Sequence, residues 1–403
     1  MGKKILVLGS SFGGYHCALN LRKLLGKEHA IQVVSSDDTF TFVPSLPWVV
    51  MGWREPSAIQ FPVAKSLRRK GIEFICDTIV KAEPDKNKVT GKAGEYNYDY
   101  LVAATGSELD FAAIPGLGPE GGHSLCVFSV EQALQAKTAL EKALDKGSGS
   151  IVVGNAQGAS CLGPVYEITM MIDTHLRKKK IRNRFSLQLF TNEPYLGHFG
   201  VGGFGKVTRM LEDDFADRDI EWKVNSKLAQ VTPEEVELDD GSKYKNDFSL
   251  IVPAFYGSHA YMGIDGFSNP RGFVTADDYL ANSKYQNVYA VGVSLALPPP
   301  FKTDVPVGVP KTGQMTEAMA KVAAYNIAVD IKGGAKKRGK DFDVICIADA
   351  GDSAIYLYAS PLLPPRNKLV HKKSKKAHYM KLAFEKYYMA SLRYGLPNLD
   401  FGW

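Results

Sequence analysis

The feature that most constrains the fold is a pair of strand–turn–helix units, each with a glycine-containing turn after an apolar strand. The first unit reads KKILVLG, then SSFGG, then YHCALNLRKLLG, and the apolar strand AIQVVSS follows it. The second unit begins at SIVVGNAQGASCLGPVYEITMMIDTHL and continues into the strand RFSLQLFTNEP. An apolar strand that turns through glycine into a helix predicts a βαβ unit with a parallel sheet. Two such units predict an α/β protein with tandem Rossmann-like domains.

The order of the later segments predicts where the domains begin and end. A further strand, QNVYAVGVS, and a helix, QMTEAMAKVAAYNIAVDI, follow the second unit, so the first domain should be discontinuous. We expect it to span residues 1–110 and 270–330, with the second domain at residues 111–269. Residues 331–403 form a predicted membrane-interface region. The stretch TFTFVPSLPWVVMGW is aromatic and contains prolines, which predicts an ordered loop rather than a helix.

Three short motifs in the expected order favour FAD binding in the first domain. The first is the turn after the first strand, with the candidate residues Gly9, Ser11, Phe12, Gly13 and Gly14. Ser11 replaces the usual glycine, but serine is small and the amides at the start of the helix still face a pyrophosphate. The second motif, in YDYLVAATGS, consists of Ala104, Thr105 and Gly106. The third, in VYAVGVS, has Gly292 followed by Val293 in place of the usual aspartate.

The acidic residues that normally bind ribose are missing or displaced in both units. The strand of the first unit ends in VVSSDD, so we expect Ser35, Ser36 or the backbone to hold the adenine ribose. The turn of the second unit, GNAQG, lacks the middle glycine, and its acid, Glu193, comes late and beside a proline. These departures indicate that the second unit does not bind a nicotinamide dinucleotide.

The cysteines divide into two groups by their position. Cys17 and Cys76 lie inside helix and strand patterns and are predicted to be small core residues. Cys161 instead lies at the start of the helix of the second unit, where a helix dipole lowers a thiol pKa, although a buried structural cysteine is the alternative. The five cysteines form no CxxC pair, so neither a zinc site nor a disulfide scaffold is expected.

Six strings together resemble the sulfide:quinone oxidoreductase family of membrane-surface flavoproteins: FTFVPSLPWV, GASCLGPVYE, EPYLGHFG, VPVGVPKTG, CIADAGD and KLAFEKYY. The resemblance runs from residue 4 to about residue 395. It implies that hydrogen sulfide is oxidised to polysulfide or elemental sulfur, and that two electrons pass through FAD to membrane quinone. It also implies a homo-oligomer.

The resemblance assigns roles to three cysteines. Cys161 and Cys346 match the redox pair of the family, so hydrosulfide would attack a bridge between them, leaving one persulfide and one thiolate. Cys126 matches a third cysteine on the other face of the flavin, which is attached covalently to the cofactor in some members. A family histidine four residues after this cysteine is absent, and Val130 stands in its place.

Further site residues are also implied by the resemblance. Glu167 matches an acid near the cysteine pair and is a candidate general base, with an exposed helical glutamate as the alternative. His198 matches a histidine near the flavin, with a hydrogen-bonded loop histidine as the alternative. Additional cofactor-binding candidates are Pro44, Ile79, Lys311, Thr312 and Gly313. The quinone candidates are Ile345, Ile347, Phe384 and Phe401, although aromatic residues at helical spacing are often plain core.

Charge and hydropathy limit where the protein acts. The formal net charge is +6, which suits an anionic membrane surface and does not by itself indicate nucleic acid. The N-terminal apolar run is too short for a signal-peptide core, and no apolar run is long enough to span a bilayer. The basic run HKKSKK precedes a helix whose apolar face carries Met380, Ala383, Phe384, Tyr387 and Ser391, with Lys381, Glu385 and Lys386 elsewhere. We therefore expect peripheral membrane attachment, on a side the sequence leaves open.

Three other functions fit parts of this sequence less well. The flavoprotein subunit of a flavocytochrome c sulfide dehydrogenase usually follows a cleavable signal and lacks the aromatic tail. A type II NADH dehydrogenase needs an intact second nucleotide turn and does not need Cys161. A non-catalytic FAD protein would show no absorbance change with sulfide.

Overall fold

Each of the two strand–turn–helix units contributes to a parallel sheet. The structure is a computed structural model, and it describes residues 2–339 and 341–394. The strands, numbered in chain order, are β1 Lys4–Leu8, β2 Ala30–Ser35, β3 Thr39–Thr41, β4 Gln60–Pro62, β5 Glu73–Cys76, β6 Ile79–Glu83, β7 Lys88–Gly91, β8 Glu95–Asn97, β9 Tyr100–Ala103, β10 Glu108–Leu109, β11 Gly149–Asn155, β12 Phe185–Phe190, β13 Glu221–Lys223, β14 Leu228–Val231, β15 Glu235–Leu238, β16 Lys243–Lys245, β17 Phe248–Val252, β18 Phe255–Tyr256, β19 Val288–Ala290, β20 Val344–Asp349, β21 Ala354–Ser360 and β22 Lys368–Ser374. The α-helices are α1 Phe12–Leu25, α2 Leu46–Val50, α3 Pro56–Ile59, α4 Val63–Arg69, α5 Val130–Asp145, α6 Gly163–Lys178, α7 Val207–Asp217, α8 Gly313–Lys332 and α9 Lys375–Tyr394.

The first sheet is parallel and has the strand order β19-β9-β1-β2-β5. The second is parallel with the order β13-β12-β11-β17. Both have buried central strands, as parallel sheets covered by helices require. The prediction of an α/β fold with two Rossmann-like units is therefore confirmed.

The C-terminal part adds an antiparallel sheet, β20-β21-β22, and the long helix α9. Strand β20 packs against both α6 and α9, so this region joins the helix that follows Cys161. Within the described residues, no helix is long and apolar enough to cross a membrane.

Two local predictions were wrong. The proline-containing stretch after β3 was expected to be a loop, but Leu46–Val50 forms the short helix α2. Its proline lies in the first turn, where a missing backbone N–H costs nothing. Cys76 was expected in the core, yet it is exposed at the end of β5, because the strand runs out at the sheet edge there. Cys17 is buried in α1, as expected.

Helix α9 does not divide its polar and apolar residues between solvent and core in the usual way. Lys381 and Glu385 are buried, whereas Met380 and Ala383 are exposed. Ser391, expected on the apolar face, is also buried. Lys381 pairs with Glu167 of α6, and Glu385 accepts hydrogen bonds from Ser45 and, at 2.8 Å, from Nε of Arg54. These partners determine the rotation of the helix.

Candidate active site

Three cysteines that are far apart in sequence lie together in the fold. Cys126 precedes α5, Cys161 lies just before α6, and Cys346 lies in β20. Cys161 is close enough to interact electrostatically with both other thiols. Cys126 is fully buried, while Cys161 and Cys346 keep partial exposure, and all three are free thiols in this structure. The fold therefore brings together the cysteines that the family resemblance selected.

Burial, rather than the helix dipole, controls these thiols. Removal from water raises the pKa of Cys161 to about 12 and that of Cys346 to about 11. It also raises the pKa of Cys126 to about 12. The expectation of a lowered pKa at Cys161 was wrong, because this residue precedes the helix cap and its neighbours Cys346 and Glu167 also disfavour a thiolate. Cys346 differs in having a cation, Lys381, that opposes the effect of burial.

A buried ion pair stands beside the thiols. Lys381 of α9 donates a hydrogen bond to the carboxylate of Glu167 of α6, and both residues are 7% exposed. The backbone N–H of Asp349 donates to Oε1 of Glu167 at 2.8 Å. Burial raises the pKa of Glu167, and the ammonium and the amide oppose that rise. Glu167 also acts electrostatically on Cys161 and Cys346, so the alternative of an exposed helical glutamate is excluded.

The ion pair is enclosed by an aromatic and a second carboxylate. The ammonium of Lys381 lies 5.1 Å from the ring centroid of Trp48. The Nε1–H of this tryptophan donates to Oδ2 of Asp349 at 2.7 Å, and Nδ1 of His378 lies 2.8 Å from Oδ1. Asp349 is fully buried, whereas His378 lines a surface cavity of about 300 Å³. A polar network thus extends from the thiols toward the surface.

The first turn has the shape of a pyrophosphate cradle. Gly9 adopts φ +104°, a left-handed conformation that favours glycine. A Cβ at Gly14 would lie 1.8 Å from the carbonyl oxygen of Gly9, so only glycine fits. Ser11 precedes α1 without a side-chain hydrogen bond to its first turn, which leaves backbone amides available at this helix start. Phe12 and Gly13 are the first two residues of α1.

A second helix start lies beside the first. Helices α1 and α8 pack together, and a Cβ added at Gly313 would touch the ring of Phe12. Thr312 caps α8 by accepting a hydrogen bond from the Met315 amide at 3.3 Å. Lys311 donates to the carbonyl of Leu295 at 3.0 Å, and burial lowers its pKa to about 8. Two helix starts and a partly buried cation suit an anionic cofactor such as FAD.

The other two flavin motifs meet across the sheet edge. Ser294 accepts a hydrogen bond from the Gly106 amide at 2.8 Å, and its hydroxyl lies 3.3 Å from that of Thr105. Gly292 and Val293 belong to the same short 3₁₀ turn, Gly292–Ser294, which follows β19. Ala104 continues from β9, the neighbour of β19 in the sheet. The motifs at 104–106 and 292–293 are therefore adjacent in space.

The remaining cofactor candidates lie around the same sheet. Ser35, at the end of β2, accepts a hydrogen bond from Ser10 at 3.0 Å, and Ser36 is exposed beside it. Ile79 begins β6 close to the end of β5, and Pro44 lies in the 3₁₀ turn Val43–Ser45. Ser35, Ser36 and Ile79 thus lie at the β2–β5 side of the first sheet, and Pro44 lies in the segment after β3.

The amides of the second turn are already used within the protein. The N–H of Gly158 donates to the carbonyl of Pro306 at 2.7 Å, and that of Ala156 donates to Val252 at 2.9 Å. The side chain of Asn192 also donates to Pro306, at 2.8 Å. The proline-rich loop between β19 and α8 therefore covers the place where a second pyrophosphate would bind.

Two of the candidate quinone residues are sequence neighbours of Cys346, and a third lies on α9, which packs against the same strand. Ile345 and Ile347 flank it on β20, and the Ile345 amide donates to Gln314 at 2.7 Å. The ring of Phe384 lies 6.1 Å from that of Phe42 and is partly exposed. Phe401 lies outside the described residues.

His198 is buried in a loop, among backbone amides and aromatic rings. It is 4% exposed, and its Nδ1 accepts a hydrogen bond from the Gly200 amide at 3.2 Å. Burial lowers the pKa of His198, which favours the neutral ring. Because Nδ1 accepts a hydrogen bond, the proton of the neutral ring is on Nε2. Its ring meets Tyr195 edge-on at 5.1 Å and lies 6.4 Å from Phe301. This hydrogen bond is the one expected of a loop histidine. The contact with Phe301 places the imidazole beside the proline-rich loop between β19 and α8.

Comparison with known proteins is decisive for the family. A profile of the pyridine nucleotide-disulphide oxidoreductase family matches residues 3–293. The sulfide-quinone reductase of Aquifex aeolicus (strain VF5) is 39% identical over 402 residues, covering 98% of this chain and 92% of that protein. The chain belongs to the sulfide-quinone reductase family. The family prediction is thereby confirmed.

A solved structure and a eukaryotic relative agree with that assignment. The X-ray structure of the sulfide:quinone oxidoreductase from Aquifex aeolicus matches with a TM-score of 0.93 and 38% identity, covering 98% of this chain and 93% of that one. The mitochondrial sulfide:quinone oxidoreductase of Dictyostelium discoideum is 28% identical and covers 73% of this chain and 66% of that protein.

The sequence analysis did not predict several residues that the structure places at the site. Lys381 was assigned only to the polar side of α9, and Trp48, Asp349 and Ser294 were not selected. Ser294 had a detectable signal, because it follows the Gly292 motif within one turn. The others had none, because their contacts join segments that are far apart in the chain.

Proposed function

We propose that the protein is an FAD-dependent oxidoreductase that oxidises sulfide and transfers the electrons to membrane quinone. The observation that carries this proposal is the convergence of Cys161 and Cys346 beside the Glu167–Lys381 ion pair. The names of its relatives, sulfide-quinone reductase and sulfide:quinone oxidoreductase, agree with sulfide as the electron donor and quinone as the acceptor. The family membership supports a flavin, and the two converging helix starts support FAD.

The cysteines would perform the sulfur chemistry. In the oxidised protein, hydrosulfide would attack a disulfide between Cys161 and Cys346, so that the S–S bond breaks, one cysteine becomes a persulfide and the other leaves as a thiolate. The thiolate at Cys346 is favoured because Lys381 is its nearby cation. Glu167 would accept a proton from the incoming sulfur species, since its raised pKa brings it closer to neutral pH. Cys126 would lie on the other side of the cofactor.

FAD would be held by the first turn, the motifs at 104–106 and 292–293, and the start of α8, and it supplies two-electron redox chemistry when bound. Lys311 would stand at its pyrimidine edge, where a cation stabilises negative charge. Ser35, Ser36 and Ile79 would contact the adenine side. Pro44 would back the ring system.

Electrons would leave toward an apolar acceptor. Ile345, Ile347 and Phe384 would line the quinone site next to Cys346, with Phe401 as a further candidate. The exposed residues Tyr379 and Met380 of α9, with the exposed lysines near its start, suit an interfacial helix on an anionic lipid surface. The protein would therefore act as a peripheral membrane enzyme.

We further propose domain boundaries near residues 110, 269 and 330, which the two parallel sheets and the separate C-terminal sheet support. Because α8 continues to Lys332, the last boundary would fall at the end of that helix. The homo-oligomeric state can be measured by analytical ultracentrifugation of the detergent-solubilised protein.

The alternative functions are less well supported. The second turn of a type II NADH dehydrogenase needs free amides, and here Pro306 accepts the Gly158 N–H. A cytochrome-linked sulfide dehydrogenase subunit would need no quinone site, yet an aromatic helix flanks Cys346.

An anaerobic titration tests the proposal. Sulfide is added to the purified yellow protein, the oxidised flavin band is followed, and a soluble quinone is then added. We expect bleaching by sulfide and recovery with quinone. Cys161→Ser and Cys346→Ser should abolish bleaching while FAD stays bound. Cys76→Ser, which changes an exposed cysteine that has no role in the proposed sulfur chemistry, should not. Bleaching by NADH without bleaching by sulfide would refute the proposal.

A further inference from the structure

The acid that comes late in the second unit is not used to bind ribose. Glu193 follows β12, near the position where dinucleotide-binding domains place their ribose-binding carboxylate. Here its side chain points inward and is fully buried. A buried carboxyl needs a reason, because removing it from water is costly unless it is hydrogen-bonded.

Glu193 is hydrogen-bonded to groups from two elements. Its Oε1 accepts from the backbone N–H of Phe199 at 2.7 Å. Its Oε2 accepts from the hydroxyl of Tyr166 at 2.6 Å and from that of Thr191 at 2.9 Å. The Tyr166 hydroxyl in turn accepts from the Gly197 amide at 2.9 Å. The carboxyl and the hydroxyl together join helix α6 to the segment at 195–205, here called the histidine loop.

The histidine loop has an unusual backbone. Left-handed φ angles occur at Gly197, Phe199, Gly200, Gly202, Gly203 and Gly205. Phe199, at φ +51°, is a bulky side chain in a region that favours glycine, so the loop needs contacts that hold it. The other anchor is Arg366, which donates to the carbonyl oxygens of Val201 and Gly203. His198 lies between the Glu193 contacts, on the same loop.

We infer that Glu193 and Tyr166 form a proton-sensitive clamp that positions the histidine loop and with it the imidazole of His198. Glu193 is a positioning residue, since it reaches the loop backbone and not the thiols. The relevance of the loop to sulfide oxidation rests on the proposed function, but the clamp itself does not.

The direction of the proton effect follows from burial. Desolvation raises the pKa of Glu193 to about 7, despite the hydrogen bonds that lower it. The titratable groups that act on it are Tyr166 from α6 and Tyr195 from the loop, and the backbone N–H of His198 also donates to its carboxylate. Arg366, between β21 and β22, acts on Tyr195 and on the ring of His198. An opened loop would admit water and return the carboxyl to its ordinary pKa. The closed loop therefore holds a proton that the open loop releases to water, and a rise in pH favours opening.

Hydrogen exchange of the FAD-bound protein tests the clamp. Protection of a peptide spanning residues 194–205 is measured across pH and corrected for the intrinsic exchange rates. We expect opening to increase about tenfold per unit between about pH 5 and 7 and to level off above, because one proton is released. Peptides from α8 should show no such dependence. A pH-independent loop in the wild-type protein would overturn the inference.

Variants separate the proton from the packing. Glu193→Gln is neutral at every pH, so its loop should keep the protection of the wild type at low pH and lose the pH dependence. Tyr166→Phe should raise opening about tenfold or more, since the Gly197 amide loses its acceptor. The matched control is Tyr98→Phe, because the hydroxyl of Tyr98 is buried and unpartnered among the described residues. A Glu193→Gln loop that kept the wild-type pH profile would refute the inference.

Sulfide bleaching measured on the same samples separates the two proposals. Loop exchange that follows this pattern in a protein that sulfide does not bleach would leave the clamp standing and refute the proposed function. Bleaching by sulfide in a protein whose loop exchange does not depend on pH would support the proposed function and refute the clamp.

Discussion

Replacing Lys381 with methionine removes the cation of the buried ion pair and keeps most of the side-chain volume. Glu167 would remain buried, with the Asp349 amide as its hydrogen-bond donor. Breaking a buried pair by removing one partner typically costs about 3–5 kcal/mol, because the remaining charge is uncompensated. We expect the free energy of unfolding of Lys381→Met to fall by about that amount at alkaline pH.

The loss of stability should depend on pH in a defined direction. Burial already raises the pKa of Glu167, and loss of the ammonium raises it further. The folded variant then holds a proton that the unfolded chain releases, so its stability falls as the pH rises. The cost should therefore be small in acid and largest at alkaline pH, where the buried carboxyl ionises.

The same substitution should slow the reaction with sulfide. The pKa of the Cys346 thiol, at about 11, already includes the favourable effect of Lys381. A neighbouring opposite charge shifts a pKa by about one unit or more, and each unit lowers the thiolate fraction tenfold. Flavin bleaching at about pH 7 should be slower by about tenfold or more, and it should recover as the pH is raised.

Urea unfolding and stopped-flow bleaching across pH measure these two effects. Lys386→Met, an exposed lysine of the same helix, is the matched control and should change neither. The double variant Glu167→Gln/Lys381→Met removes both charges and should regain most of the lost stability. Unchanged stability and an unchanged pH profile in Lys381→Met would refute the role of the ion pair.

Three further changes test other parts of the site. Gly14→Ala should abolish FAD binding, measured as flavin content, because the added Cβ would collide with the Gly9 carbonyl. Phe384→Ala should slow reoxidation by quinone and leave bleaching by sulfide unchanged, if the ring lines only the quinone site. Tyr388→Phe should lower stability by about 1–3 kcal/mol in urea unfolding, because the buried His16 loses a hydrogen-bond partner at 2.7 Å.

The controls for these changes lie in the same chain. Gly94→Ala adds a methyl group with only loose contact to Tyr96, so flavin content should be unchanged. Tyr98→Phe removes a buried hydroxyl without a partner among the described residues and should cost little stability. Flavin bound normally by Gly14→Ala, equal effects of Phe384→Ala on both half-reactions, or a Tyr388→Phe protein as stable as the wild type would contradict these predictions.

Local pattern was sufficient for much of the first domain. The strand, the turn and the helix of the first unit lie within about 25 consecutive residues, so spacing alone predicts Gly9, Gly14 and the start of α1. The order of the flavin motifs could be read in the same way, whereas the family came from the resemblance of six strings to known members. These features depend on backbone geometry over a few residues, which a sequence states directly.

Contacts between distant segments were decided only in the tertiary structure. The expectation that the helix dipole lowers the pKa of Cys161 failed, because burial of the thiol raises that pKa instead. Cys346, which lies far away in the sequence, adds to the rise. Lys381 was read as a polar-face residue, yet it is buried because Glu167, 214 positions earlier, offers it a charge. The inward turn of Glu193 likewise depends on Tyr166 of another element. Periodicity reports which residues share a face of one helix, whereas desolvation and charge pairing depend on the element that the face meets.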